Sequence, residues 1–260
     1  MHKINKVFFV IMFFLVFATI GIAQTDEELI SEAKALLDKG VIGSDPIYLN
    51  EAKGLFETVL SSDDEDYLAH YFIAYTDYRI AIYYLQNMEK EQFENFIGSS
   101  IEELKELLNL NDNNAEVLAL LASAYAFQIS EKPSLGSELG LKTFNLIYKA
   151  SNDEPHNPRV MLLAGISYFN IPEIYGGSKL KALNYFIKSV NLFENAVDED
   201  DDIEWGYFDA LAWLGLTYSE LDDYESAINV YNKALEVAPD FLWIKDILLP
   251  SAENKSNRNN

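Results

Sequence analysis

An apolar periodicity of helical spacing runs along the chain from Thr25 onward and restricts the architectures open to it. Apolar residues recur at positions i, i+3, i+4 and i+7, as in the segment 118–125, and this spacing places them on one face of a helix. No segment alternates apolar and polar residues for long enough to predict a strand. Six of the seven prolines fall at predicted helix borders, where proline is tolerated. The sequence therefore predicts an all-α protein.

The segment 208–241 carries the most specific pattern of the chain. Its small residues let two antiparallel helices approach closely, its aromatic residues fill the space beside them, and a proline ends the second helix. Eight positions in register resemble the 34-residue tetratricopeptide repeat (TPR): Leu211, Leu214, Gly215, Tyr218, Ala227, Tyr231, Ala234 and Pro239. The resemblance implies a solenoid of paired helices.

The same skeleton recurs upstream at longer intervals. The aromatic residue of the first helix returns as Tyr78, Tyr125, Tyr168 and Tyr218, and the large residue of the second helix returns as Phe56, Leu104, Phe144, Phe186 and Tyr231. We predict helix pairs at about 26–62, 65–110, 113–152, 157–196 and 205–238, and a last helix near 240–249. The TPR resemblance implies a right-handed solenoid of about five antiparallel helix pairs plus a C-terminal capping helix. Repeats of this length also suit HEAT-like arrays, but the last unit favours the TPR.

A Gly-Ser pair marks the connection before each of four predicted second helices. The pairs are Gly43-Ser44, Gly98-Ser99, Gly136-Ser137 and Gly177-Ser178. Glycine can turn the chain and serine can cap the helix that follows, and Ser99 with Glu102 matches a capping box. The segment 172–182 also resembles the GG-containing repeats of exported bacterial TPR proteins. These include the TPR partner subunits of TRAP-type transporters, although the cysteine that anchors their lipoprotein members is missing.

The amino terminus predicts export. Residues 1–23 combine an early basic segment with Lys3 and Lys6, an apolar run, and small residues at Gly21 and Ala23, the pattern of a secretory signal peptide cleaved after Ala23. The alternative is a retained membrane anchor, but acidic residues follow the run instead of a basic stop-transfer cluster. We expect a periplasmic or secreted bacterial protein with a TPR-like helical domain at 24–252 and a disordered polar tail at 253–260.

The charge balance excludes several classes of partner. The 260 residues contain 42 Asp and Glu against 19 Lys and Arg, so the formal net charge is −23. Cleavage removes two lysines and deepens the charge to 17 − 42 = −25. Nucleic acid and anionic membrane surfaces would repel such a chain. The absence of cysteine rules out thiolate metal sites and cysteine nucleophiles.

No motif in the sequence predicts catalysis. His70 and His156 lack a second histidine at ligand spacing, and we expect structural roles for both. Phosphate-binding loops, dinucleotide fingerprints and the nucleophile elbow of hydrolases are missing. The acidic run 198–202 approximates a calcium loop, but Ile203 stands where that loop requires glycine. The sequence therefore predicts no enzyme, no cofactor and no metal, with a solvated loop at 198–202.

The concave groove of the predicted solenoid is the candidate binding site. First helices line the groove of such arrays, and TPR proteins commonly bind peptides or partner helices there. Carrying the groove positions over by register gives eight candidates: Phe72, Thr76, Arg79, Ser123, Arg159, Ile166, Phe169 and Asp209. Arg79 and Arg159 are two of only three arginines, and each either receives an anionic group of a ligand or pairs with an acid inside the solenoid.

Two functions follow from these observations. The first is protein–protein interaction or scaffolding through the concave groove, with a protein or peptide as partner and no chemistry. The alternative is that the protein binds a small ligand, an organic anion or an apolar solute, as a TPR partner of a periplasmic transporter. A closed apolar cavity near Arg79 or Arg159 would favour the second function, and an open, shallow groove would favour the first.

Overall fold

The protein is a succession of paired helices in a computed structural model that describes residues 24–111, 113–196 and 203–259. The helices are α1 (Asp26–Ile42), α2 (Pro46–Ser62), α3 (Tyr67–Gln86), α4 (Lys90–Leu110), α5 (Ala115–Glu131), α6 (Gly136–Asp153), α7 (Pro158–Asn170), α8 (Lys179–Glu194), α9 (Tyr207–Glu220), α10 (Tyr224–Val237) and α11 (Leu249–Asn259). A π-helical turn (Trp243–Leu248) leads into α11. Short 3₁₀ turns at Pro133–Leu135 and Glu173–Tyr175 precede α6 and α8.

Consecutive helices pack as five antiparallel pairs, from α1–α2 to α9–α10, and each pair packs on the next. The all-α solenoid of five pairs predicted from the sequence is confirmed, with boundaries within a few residues of those expected. None of the helices in the described part of the chain is long and apolar enough to cross a bilayer. The predicted signal peptide and the acidic run 198–202 lie outside the described residues.

Side-chain caps explain why most helices begin where they do. The caps accept hydrogen bonds from backbone N–H groups of the first turn, which otherwise lack partners, and each contributes about 1 kcal/mol. They are Thr25, Asp45, Asp66, Asn114, Asn157, Ser178 and Asp223. Ser178 belongs to one of the predicted Gly-Ser pairs, and its capping role is confirmed.

Close helix approach in the last two pairs requires glycine. A Cβ added at Gly215 would lie 2.4 Å from the ring of Tyr231, and one added at Gly165 would lie 2.5 Å from the ring of Phe186. The sequence predicted the first of these contacts. Gly165 makes the equivalent contact in the fourth pair. It lies 50 residues before Gly215, the same interval that separates Tyr168 from Tyr218, and this spacing could have identified it.

Several sequence predictions differ from the structure. The Gly136-Ser137 pair begins α6 instead of preceding it, and Asp45, not Ser44, caps α2. Gly98 and Ser99 lie in the middle of α4 instead of before it, and the Ser99 hydroxyl donates to Asp77 Oδ2 at 2.6 Å, so the predicted capping box is wrong. Helix α4 begins earlier, at Lys90, because the chain turns at Met88 with a φ of 61°. The tail predicted as disordered from residue 253 lies within α11, because Ala252 is fully buried where α11 packs on α10.

Candidate functional site

The helices α3, α5, α7 and α9 turn one side toward the interior of the solenoid, and we call this side the inner face. Its rings form a continuous row across the pairs. Tyr78 of α3 contacts Phe127 of α5 edge to face, with ring centroids 5.8 Å apart, and Phe127 contacts Trp213 of α9 in the same way at 6.3 Å. All three side chains are buried. The groove that the sequence predicts is therefore largely filled with aromatic side chains.

The second helix pair places its residues one position away from the predicted register. Tyr78 was expected to fill the space between α3 and α4, but its hydroxyl hydrogen-bonds with that of Ser123 on α5 at 2.8 Å. Phe72 was assigned to the groove, but it stacks on Phe56 of α2 at 5.1 Å, and the Thr76 hydroxyl donates to its carbonyl oxygen at 2.6 Å. Because α3 is apolar on every side, its periodicity does not fix which face points inward.

A buried network joins α5 to α7. Arg159 donates to Glu116 Oε1 through Nε at 2.9 Å and through Nη2 at 2.6 Å, and Asn157 donates to the same oxygen at 2.6 Å. The other carboxylate oxygen accepts from the Tyr71 hydroxyl of α3 at 3.2 Å. The Arg159 and Glu116 side chains are each 7% exposed. This network satisfies a charged pair that would otherwise be costly to bury.

A second buried pair joins α3 to α9, two helices that belong to the second and fifth helix pairs. Arg79 Nη1 donates to Asp209 Oδ2 at 2.9 Å and to the Tyr75 hydroxyl at 3.3 Å. Burial raises the pKa of Asp209, and the nearby guanidinium only partly offsets this. The contact bridges 130 positions of sequence and brings the second and fifth pairs together across the interior.

Trp205 reaches the inner face from the segment that precedes α9. Its ring stacks on Tyr75 with centroids 4.1 Å apart, and its indole N–H donates to the Tyr71 hydroxyl at 3.2 Å. Residues 203–206 are neither helix nor strand, and Trp205 is 8% exposed. A connecting segment, not a helix, therefore covers the α3 part of the inner face.

A small cavity remains beside the Arg79–Asp209 pair. Its volume of about 40 Å³ accommodates little more than one water molecule. All three tryptophans of the chain line it, together with Tyr78, Tyr83, Leu162 and Ile166 among others. At the edge of this region, burial and the neighbouring carboxylates of Asp209 and Glu204 raise the pKa of Asp38 to about 6.

Comparison with known proteins agrees with this geometry. The family profile "Tetratricopeptide repeat" matches residues 208–241, the segment in which Gly215 lies against Tyr231. The fold is that of a TPR solenoid. No curated protein matches the sequence.

Three solved structures show the same TPR fold at low identity. A thermophilic TPR protein of Thermus thermophilus is 19% identical, with a TM-score of 0.62 over 88% of this chain and 98% of that one. The HusA haemophore of Porphyromonas gingivalis is 23% identical, with a TM-score of 0.54 over 77% and 96%. One chain of the Cut9–Hcn1 hetero-tetramer of the APC/C is 15% identical, with a TM-score of 0.52 over 89% of this chain and 43% of that chain.

The predicted site residues occupy several parts of the TPR solenoid. Arg79, Ser123, Ile166 and Asp209 are brought together around the interior, and Arg159 lies in the network beneath Tyr71. Phe169 is half-buried and meets Trp213 edge to face at 5.3 Å. Their role as ligand contacts stays a prediction. Sequence reasoning missed Trp205 and Glu116, since neither belongs to the TPR pattern.

The remaining titratable candidates serve the TPR scaffold. His70 bonds through Nδ1 to Glu103 of α4 and through Nε2 to the Asp64 carbonyl oxygen at 3.1 Å, and these contacts raise the pKa of His70 although burial opposes the shift. Asp209, which stands at the twelfth position of the calcium-loop pattern that begins at Asp198, is paired with Arg79. In the described ranges no cluster of three or more histidines and carboxylates is arranged to hold a metal ion.

Proposed function

We propose that this protein is an exported, non-catalytic interaction module that binds a protein partner on the concave side of its solenoid. The TPR fold supports an interaction scaffold, since such arrays present extended concave surfaces to proteins or peptides. The buried ion pairs Arg159–Glu116 and Arg79–Asp209 each connect two helices, which is a scaffold role, and this favours binding over chemistry.

The observation that carries the proposal is the aromatic rim of the inner face. The interior is filled, but Ile82, Tyr83 and Trp243 surround the cavity and are only partly buried. Tyrosine and tryptophan side chains that remain partly accessible are enriched among the anchors of protein interfaces. A partner that docks at this rim would contact α3 and the π-helical turn together.

The experiment is a crosslinked pull-down of the mature protein from its own periplasm, with mass spectrometry of the captured proteins and of co-eluting small molecules. Two tyrosine variants locate the surface. Tyr83→Ser alters the rim, whereas Tyr148→Ser alters an outward position of α6 that is 72% exposed. We expect Tyr83→Ser to lose the partner and Tyr148→Ser to retain it. Equal capture by both variants would contradict binding at the rim.

Export is the second element of the proposal and has its own test. The support is the signal-like sequence of residues 1–23. We expect the protein from a periplasmic extract to begin at Gln24, as measured by intact mass and N-terminal sequencing. Recovery of the uncleaved chain in the membrane fraction would favour the retained anchor instead.

The cavity supports one other candidate function, the binding of a small organic anion. Arg79 contacts both Asp209 and Tyr75 through Nη1, and apolar rings surround it. The cavity of about 40 Å³ is too small for an aromatic ligand, so binding would require Arg79 and Asp209 to separate. The likeness to the HusA haemophore extends to the fold alone, so the cavity residues carry this candidate. Co-elution of a small molecule that Arg79→Ala abolishes would support it, and unchanged binding would dismiss it.

A further inference from the structure

The inner face of α3 forms a receptor for one indole ring. Tyr75 offers its ring for stacking at 4.1 Å with an interplanar angle of 23°, and the Tyr71 hydroxyl accepts the indole N–H at 3.2 Å. The orientation of that hydroxyl is fixed, because it donates its own hydrogen to Glu116, which Arg159 holds in turn. Stacking and a directed acceptor together select tryptophan over other aromatic side chains.

The indole in this receptor comes from a segment outside the helices, although the ring itself is buried in the core. Trp213 and Trp243 also line the cavity, but they project from α9 and from the π-helical turn. Trp205 lies in the linker between the fourth and fifth pairs, outside every helix. The backbone hydrogen bonds of the five pairs therefore do not depend on this residue, whose contribution is the side-chain contact with α3.

Residues 203–206 lie against the inner face as a bound peptide would. Gly206 has a φ of +114°, and a Cβ added there would lie 3.0 Å from Phe193 and 3.3 Å from Leu162 of α7. The backbone thus runs closely over α7 while Trp205 reaches α3. An extended chain with one aromatic anchor is a common form of peptide recognition by preformed surfaces.

We propose that residues 203–206 occupy, within the same chain, a site that binds an extended partner segment containing tryptophan. This inference rests on the proposed function and specifies the chemistry of the partner. We expect the partner to differ from the linker at the residue before the tryptophan. Glu204 is exposed and lines the same surface cleft as Asp38, a carboxyl group of the same sign, so the linker fits imperfectly at this point. A partner with lysine at that position binds better, because Asp38 then faces an opposite charge.

Binding in trans tests the site without the natural partner. The protein is the mature chain with Trp205→Ala, and the probe is a fluorescein-labelled amidated peptide with the sequence of residues 201–206, followed by fluorescence anisotropy. We expect Trp205→Ala to bind the peptide at least about ten-fold more tightly than the wild-type chain, since the wild-type site is filled. The same peptide carrying Glu204→Lys should bind more tightly still, and a peptide carrying Trp205→Ala should not bind.

Trp243→Ala is the matched control, because it removes a tryptophan from the same cavity but leaves the linker in place. The proposal would be overturned if Trp243→Ala bound the peptide, or if a folded Trp205→Ala chain did not bind it. Trp205→Leu provides a milder variant that keeps an apolar side chain but loses the stacking and the donor. If Trp205→Ala and Trp205→Leu both lose their helical circular dichroism, the fold requires Trp205 and the proposal is wrong. A positive peptide result without any captured protein would contradict the proposed function and leave this site standing.

Discussion

Two buried ion pairs cross the inner face, and they hold different kinds of structure together. Arg159 and Glu116 join α5 and α7, the first helices of adjacent pairs, through several hydrogen bonds among side chains that are 7% exposed. Arg79 and Asp209 join α3 and α9 through one nitrogen, and the arginine side chain is 12% exposed. The first junction belongs to the stacking that builds every solenoid. The second joins the second helix pair to the fifth, and we call it the closure. It has fewer hydrogen bonds to stabilise it.

The largest expected effect comes from breaking the stacking junction. Glu116→Ala leaves the guanidinium of Arg159 buried without its main counter-ion, so we expect the free energy of unfolding to fall by about 3–5 kcal/mol. Urea denaturation followed by circular dichroism measures this loss. Glu225→Ala is the control, since Glu225 occupies the same second position of α10 and is exposed. A loss of similar size in the control would show that helix-end electrostatics, not the buried network, is responsible.

The next largest effect on stability comes from the contact between α7 and α8 in the fourth helix pair. In Gly165→Ala the added methyl group would lie 2.5 Å from the ring of Phe186, so α7 and α8 must separate, and we expect a loss of about 1–3 kcal/mol. Gly98→Ala is the opposite case. Gly98 lies inside α4 with no atom within 4 Å of an added Cβ, and alanine there should stabilise the protein by about 0.5–1 kcal/mol. Chemical denaturation that gave both variants the same sign would contradict this account of the helix contacts.

Breaking the Arg79–Asp209 closure should reduce the free energy of unfolding less than breaking the Arg159–Glu116 stacking junction. Asp209→Ala removes the partner of Arg79, but Arg79 Nη1 keeps the Tyr75 hydroxyl as an acceptor and its side chain is 12% exposed, so we expect a loss of about 1–2 kcal/mol. Small-angle X-ray scattering should show a larger radius of gyration, because α3 and α9 are no longer joined. Asp246→Asn, an exposed change, should alter neither quantity. A loss as large as that of Glu116→Ala would erase the distinction between the two junctions.

The contrast also explains what the sequence could predict. The helix pairs and the contact of Gly215 with Tyr231 depend on residues near each other in the chain, and the TPR resemblance identified them. Of the caps, the Gly-Ser pattern predicted only Ser178 correctly. The partner of Arg79 lies 130 positions away, and its identity depends on how strongly the solenoid curves. Helix α3 is apolar all round, so its inward face could not be chosen by periodicity. Trp205 lies in a linker that carries no periodic signal.

A small effect distinguishes the Arg79–Asp209 junction by its response to pH. Burial and the nearby carboxylates raise the pKa of Asp38 to about 6, above the value of about 3.9 in an unfolded chain. Between these values the folded protein holds a proton that the unfolded chain has released, so this group's stabilising contribution is complete below about pH 4 and is lost as the pH rises through 6. Asp38→Asn removes the group, and at pH 7 we expect the variant to be more stable than the wild type by about 1 kcal/mol, a value reduced for solvent screening.

Urea denaturation of both chains at pH 4 and pH 7 measures the change in that difference, and the other carboxyl groups cancel because both chains contain them. The difference should vanish at pH 4, where Asp38 is protonated and neutral in the folded wild type. Asp246→Asn, which is exposed, should show no such dependence. An equal gain at both pH values would mean that Asp38 does not sense the charges of Asp209 and Glu204.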